Sequence, residues 1–203
     1  SEMCIRDRFI NVSSFLNTFS YCSNLVSIPG NLFLHCYNVS SFNGTFSNCT
    51  KLQSIPEELF DNCINVIDMA GVFSSCTNLT SIPSTLFVNN INVTNFSSAF
   101  ASCRSLVNIP ETLFTNNIEV TSFLNIFQND NKLDSIPSNL FSTNTKVTTF
   151  GGAFSSCTGL TSIPSTLFVN NTIVTNFSFT FSGCYNITSI PVSYTHLRAH
   201  ETG

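Results

Sequence analysis

Val93-Thr94-Asn95-Phe96-Ser97-Ser98-Ala99-Phe100-Ala101-Ser102-Cys103-Arg104-Ser105-Leu106-Val107-Asn108-Ile109-Pro110-Glu111-Thr112-Leu113-Phe114 is one copy of a unit that recurs along nearly all of the 203-residue chain. The period is strict. Pro29, Pro56, Pro83, Pro110, Pro137, Pro164 and Pro191 lie 27 residues apart, and so do Val12, Val39, Val66, Val93, Val120, Val147 and Val174. Nineteen of the 21 phenylalanines sit at three fixed phases, and Met69 fills the one vacancy. A fixed repeat of this length marks a solenoid, in which no unit can bury its apolar face alone and stacked neighbours bury it for one another.

Spacing within the unit assigns its parts. Val93, Phe96, Phe100 and Cys103 recur at i, i+3, i+7 and i+10, which predicts one face of a short helix. Leu106-Val107-Asn108-Ile109, closed by proline, is too short for a second helix and predicts a brief strand. Proline then opens a tight turn through Leu113-Phe114; in Pro56-Glu57-Glu58-Leu59-Phe60 the acids suit a helical start. The expected fold is therefore an α/β repeat solenoid with one short helix and one short parallel strand per 27-residue unit.

The two ends read differently. Ser1-Glu2-Met3-Cys4-Ile5-Arg6-Asp7 and Val192-Ser193-Tyr194-Thr195-His196-Leu197-Arg198 can be encoded by reverse-complementary DNA in register, and that DNA resembles the transposase adaptor of sequencing libraries. Residues 1–8 and 192–203 are accordingly expected to be adaptor-derived, and 9–191 to be seven units of a longer natural chain. Within 9–191, His35 is then the only histidine.

Composition narrows the function classes. Only 9% of residues are charged and the net charge is −4. A nucleic-acid partner calls for clustered Lys and Arg, and none is present. No direct insertion into a membrane is expected either.

The pattern resembles the BspA-like leucine-rich repeat surface proteins, whose units carry an aromatic, a Cys three residues on, a Leu and an Ile-Pro. Phe100-Ala101-Ser102-Cys103 with Leu106 and Ile109-Pro110 matches it, as does Phe154-Ser155-Ser156-Cys157 with Leu160 and Ile163-Pro164. The strand here has one fewer alternating apolar position than the commonest pattern. The resemblance implies a leucine-rich-repeat-like fold, a cell-surface or extracellular location, and adhesion to host or neighbouring-cell partners.

No constellation of catalytic or metal-binding residues emerges, and no cofactor is expected. Cys22, Cys49, Cys76, Cys103, Cys157 and Cys184 share one phase, with Asp130 in the fifth unit; Cys36 and Cys63 share another, later occupied by Asn90, Asn117, Asn144 and Asn171. Structural zinc needs close Cys/His pairs. Stacked neighbours fall near the roughly 4.4–6.8 Å Cα separation of a disulfide, but side chains in a ladder run parallel, so buried free thiols are expected. The Cys/Asn phase is read as a cap for backbone groups in a turn. His35 beside Cys36 lacks an orienting acid, and Glu57, Glu58, Asp61, Glu111 and Glu119 fall on the turn and connector. The sequons at Asn38, Asn78, Asn92, Asn95 and Asn176 follow from Asn/Thr-rich composition.

The chain is thus expected not to be an enzyme but an adhesin-like module binding a protein or glycan. The candidate face is the row that varies between the fixed Leu and Ile: Val26, Gln53, Thr80, Val107, Asp134, Thr161 and Thr188, flanked by Ser27, Ser54, Ser81, Asn108, Ser135, Ser162 and Ser189. The alternative is a structural spacer or phage-tail-type assembly element whose active part lies in flanking sequence.

Overall fold

A computed structural model of the chain describes Phe9 and residues 11–193. Of the expected adaptor-derived stretches 1–8 and 192–203, residues 1–8 and 194–203 lie outside the described residues. Each 27-residue unit forms one coil, and successive coils stack in parallel. Bridges join Ser14 to Ser41, Ser41 to Asp68, Asp68 to Asn95, Asn95 to Ser122, Ser122 to Thr149 and Thr149 to Asn176.

The segment expected to be helical takes another form. In the fourth unit the N–H groups of Phe96, Ser98, Phe100 and Ser102 donate to the carbonyls of Ser122, Leu124, Ile126 and Gln128 in the next unit, at 3.1, 2.7, 3.1 and 2.6 Å. Between them, Ala99, Ala101 and Cys103 donate to Phe96, Ser98 and Phe100 at 3.0, 3.1 and 3.1 Å, closing four-residue turns. An α-helix would direct every N–H to the carbonyl four residues back. Ser98 and Ser102 have φ of 57° and 63°, outside the right-handed α region and at the third position of their turns, where type II turns require positive φ. The expected helix over Val93–Cys103 is therefore a chain of turns. Its four-residue step places Phe96 and Phe100 on one face just as a helical turn would, so apolar spacing could not separate the two.

The expected strand is also displaced. Leu106 and Ile109 are buried while Val107 and Asn108 between them are both exposed. A strand would alternate faces at every residue. Pairing here thins to isolated bonds, from Gln53 N–H to Val26 (3.2 Å) and Asp134 N–H to Val107 (3.2 Å), and the parallel bridges lie instead two residues past each valine. The turn after proline forms as expected, with Leu113 N–H on the Pro110 carbonyl at 3.2 Å.

Three phenylalanine columns fill the coil. Phe114 stacks on Phe87 and Phe141 with centroids 6.2 Å apart on each side, and wedges between Phe96 (5.0 Å) and Phe123 (4.8 Å). Val93, Phe96, Phe100, Cys103, Leu106, Ile109, Leu113 and Phe114 are all buried. Several of the same phases in the first and last units, among them Phe19, Leu25, Phe177 and Phe181, are only partly covered, because one side has no neighbouring coil among the described residues. The continuous stack expected from the repeat is present.

Polar columns clip the coils together. Asn117 Nδ2 donates to the Phe87 carbonyl (3.1 Å) and to the Asn90 carbonyl (2.9 Å), and Asn90, Asn144 and Asn171 repeat the arrangement. Their Oδ1 atoms have no partner, which explains why cysteine, a donor without that extra acceptor, serves in the same phase at Cys36 and Cys63. Losing two net hydrogen bonds, Asn117→Ala is expected to cost roughly 1–3 kcal/mol, and Asn117→Cys less, as read by urea denaturation. Equal losses for the two variants would rule out the shared-donor account.

Candidate functional site

The candidate row is set by what lies either side of it. Burial of Leu106 and Ile109, and of their counterparts in the inner units, leaves the two intervening side chains no direction but outward. Val26, Gln53, Thr80, Val107, Asp134, Thr161 and Thr188 are all exposed, one per coil, and so are the seven flanking residues from Ser27 to Ser189. Stacked phenylalanine rings 5.4–6.2 Å apart set the step between coils. The row is a ladder of mostly small polar groups carrying one charge, Asp134, whose Oδ1 accepts from Ser135 Oγ at 2.7 Å. Such a surface offers hydrogen-bond donors and acceptors at fixed intervals and no reactive group.

The other candidate chemistries disperse. The eight described cysteines are free, and all but Cys22 are buried. Their thiols serve the fold: Cys103 Sγ donates to the Phe73 carbonyl (3.2 Å) and Cys157 Sγ to that of Phe127 (3.0 Å). Burial pushes the Cys36 thiol up to about 11, the reverse of the depression that activates a nucleophile, so its neighbour His35 has no thiolate partner. Glu119 pairs with Lys146 at 2.6 Å, Glu111 accepts from Asn139 and Asp61 from Asn89; the acids bind the next coil rather than converge on one another. Among the described residues no cluster of three or more His, Cys, Asp or Glu is placed to hold a metal. Nor is any helix long and apolar enough to cross a membrane.

Two features escaped the sequence reading. Asp130 occupies the cysteine phase with 0% exposure and no donor to either carboxylate oxygen. Burial pushes its pKa well above the ordinary carboxylate range. Its substitution for cysteine was visible, but its complete enclosure was not. The second is a cleft of about 490 Å³ floored by Gly151 and Gly152, signalled in sequence only by a glycine pair where other units carry one glycine or none.

No family model matches the chain, and no curated protein does. Solved structures do. A leucine-rich repeat protein from Bacteroides ovatus aligns over 90% of this chain at 22% identity with a TM-score of 0.52, and this chain spans 42% of that protein's length. A leucine-rich repeat protein of T. pallidum aligns over 93% of this chain and 77% of its own, at 22% identity and a TM-score of 0.51. The chain has a leucine-rich-repeat-like solenoid fold.

Proposed function

We propose that the chain is a non-enzymatic, adhesin-like binding module of the cell surface or extracellular space. Its recognition surface is the row Val26, Gln53, Thr80, Val107, Asp134, Thr161 and Thr188, and its partner is a protein or glycan on a host or neighbouring cell. The observation that carries this reading is the contrast within each unit. Most inner phases keep one apolar residue from unit to unit, while of the two outward phases between Leu and Ile the first changes from Val to Gln, Thr and Asp on a regularly spaced frame. Repeat proteins use such extended surfaces for binding.

The combined variant Thr80→Arg, Val107→Arg and Asp134→Arg places three bulky cations at the centre of the row without touching the core. Beads coated with the chain are expected to attach to epithelial monolayers, and the variant to lose about tenfold or more of that attachment, equivalent to roughly 1.4 kcal/mol, with thermal unfolding unchanged. Attachment that survives the triple substitution excludes this face and favours the spacer reading.

A further inference from the structure

The cleft over Gly151 lies on another part of the coil and has its own chemistry. It is formed by three consecutive units. Leu124 and Asn125 come from the fifth, Gly151 and Gly152 from the sixth, and Asn176 and Phe179 from the seventh, with Gln128 on its rim. At the phase of Gly151 the other units carry Leu16, Asn43, Ala70, Ser97, Leu124 and Ser178. The dent therefore exists because a side chain is missing between two coils that have one. A Cβ at Gly151 would come within 2.9 Å of Asn176 Nδ2 and 3.0 Å of Leu124 Cδ1, so both side-chain ends already lean over the floor. Asn125 Oδ1 leans over Gly152 in the same way.

Phe179 is an exposed aromatic at positive φ, as Tyr21 is in the first unit, but Phe179 alone of the two lines the cleft. It is 72% exposed, and among the described residues its ring pairs with no other aromatic. Its φ is 61°, a conformation that is a genuine outlier for a bulky side chain; at the same phase the other units place Asn17, Gly44, Gly71, Ser98, Asn125 and Gly152. Backbone strain retained at an exposed aromatic beside a cleft points to function rather than packing.

The lining includes no charged side chain, so phosphates, carboxylates and amines find no counter-charge. It offers instead the amides of Asn125, Gln128 and Asn176, each with two N–H donors and a carbonyl acceptor. Beside them stand a phenyl face with negative quadrupole and an aliphatic wall. Adjacent hydroxyls on a ring whose opposite face is C–H match that set: the amides take hydroxyl pairs, and the ring C–H groups lie on the aromatic. The volume falls within the roughly 300–1,000 Å³ of small-ligand sites. We infer that the cleft floored by Gly151 and Gly152, between Leu124 and Phe179, is a binding site for a neutral pyranose sugar. The row proposed above as the adhesive face contributes no residue to it, and the two sites stand or fall separately.

Two substitutions test the site without endangering the fold. Gly151→Leu fills the floor with a residue the solenoid already carries at that phase in Leu16 and Leu124. Phe179→Asn removes the ring and installs a residue at home at positive φ, as Asn17 and Asn125 are. The probes are the methyl glycosides of glucose, galactose and mannose, and of N-acetylglucosamine, at millimolar concentration with the full chain. Saturation-transfer NMR is expected to show transfer to the ring C–H protons of at least one glycoside. That transfer should vanish in Gly151→Leu and its affinity fall roughly two- to tenfold in Phe179→Asn, with both variants folded, as read by thermal unfolding. Transfer to none of the four overturns the inference. So does transfer that persists in Gly151→Leu, or transfer confined to a neutral Ser/Thr peptide run alongside. The triple Arg variant is expected to retain transfer in full, so loss of cell attachment and loss of sugar binding are read independently.

Discussion

Phe114→Ala is expected to lower the unfolding free energy by about 3–5 kcal/mol, the range for a large aromatic truncated in a core that cannot collapse around the void. Phe114 has 0% exposure. Its ring meets those of Phe87, Phe96, Phe123, Phe127 and Phe141, with centroids 4.8 to 6.5 Å away. Those rings belong to the units before and after as well as its own, so truncation weakens two coil–coil interfaces at once. In a quasi-one-dimensional stack each unit depends on its neighbours, and a weakened middle separates the array into two shorter halves. Urea denaturation should therefore show a lower midpoint together with a broadened or split transition. Phe181→Ala, at a half-covered position in the last unit, removes contacts on one side only and should cost less than half as much. If the two variants lose the same stability, the coils do not depend on one another in this way.

Asp130 gives the second large effect, and it depends on pH. In the folded chain the carboxyl lies between the Cys103 and Cys157 thiols in the cysteine column, and burial raises its pKa. Among the described residues the only ion pair joins Lys146 to Glu119, so no cation offsets that rise. In the unfolded chain the group titrates near 3.9. Below that pH both states hold the proton and the carboxyl contributes nothing to the balance. Above it the unfolded chain releases the proton while the folded chain retains it, so stability falls as pH rises toward the folded pKa. The neutral acid has an O–H to donate, as the cysteines do, each to the phenylalanine carbonyl thirty residues earlier; by phase the corresponding carbonyl is that of Phe100. Asp130→Cys restores the column's own donor. It is expected to stabilise the chain by about 1.4 kcal/mol or more at pH 7 relative to pH 3.5, the linkage of one pKa unit for a proton that the folded chain keeps and the unfolded chain has released. The measurement is the difference between the two stability–pH curves, in which the exposed acids cancel. Parallel curves, or a variant less stable at neutral pH, would show that the carboxyl is accommodated in some other way.

Asp130 also shows where sequence reading stops. Its place in the cysteine phase was plain from the 27-residue register, yet its ionisation depends on what surrounds it, and only stacked coils supply that. The exposed row from Val26 to Thr188 was legible for a simple reason: residues between two buried columns must point outward whatever the local backbone does. The Gly151 cleft was not, because a glycine pair in one unit acquires meaning only when Leu124 on one side and Phe179 on the other are known to flank it. Those residues are separated by about one unit each in sequence and become neighbours only through stacking.

From the amino-acid order alone follow the period, the stack of coils, the columns of Phe, Leu, Ile and Cys in its core, and the outward row, since a strict repeat of apolar residues can be buried only by another copy of itself. Tertiary structure decided how each coil is made. Helix and turn chain share the Phe96–Phe100 spacing, and what distinguishes them is the destination of alternate N–H groups. Those groups turn to the next coil because Ser98 and Ser102 adopt positive φ, an exchange of local for inter-coil hydrogen bonds that exists only when a neighbouring coil is there to accept them.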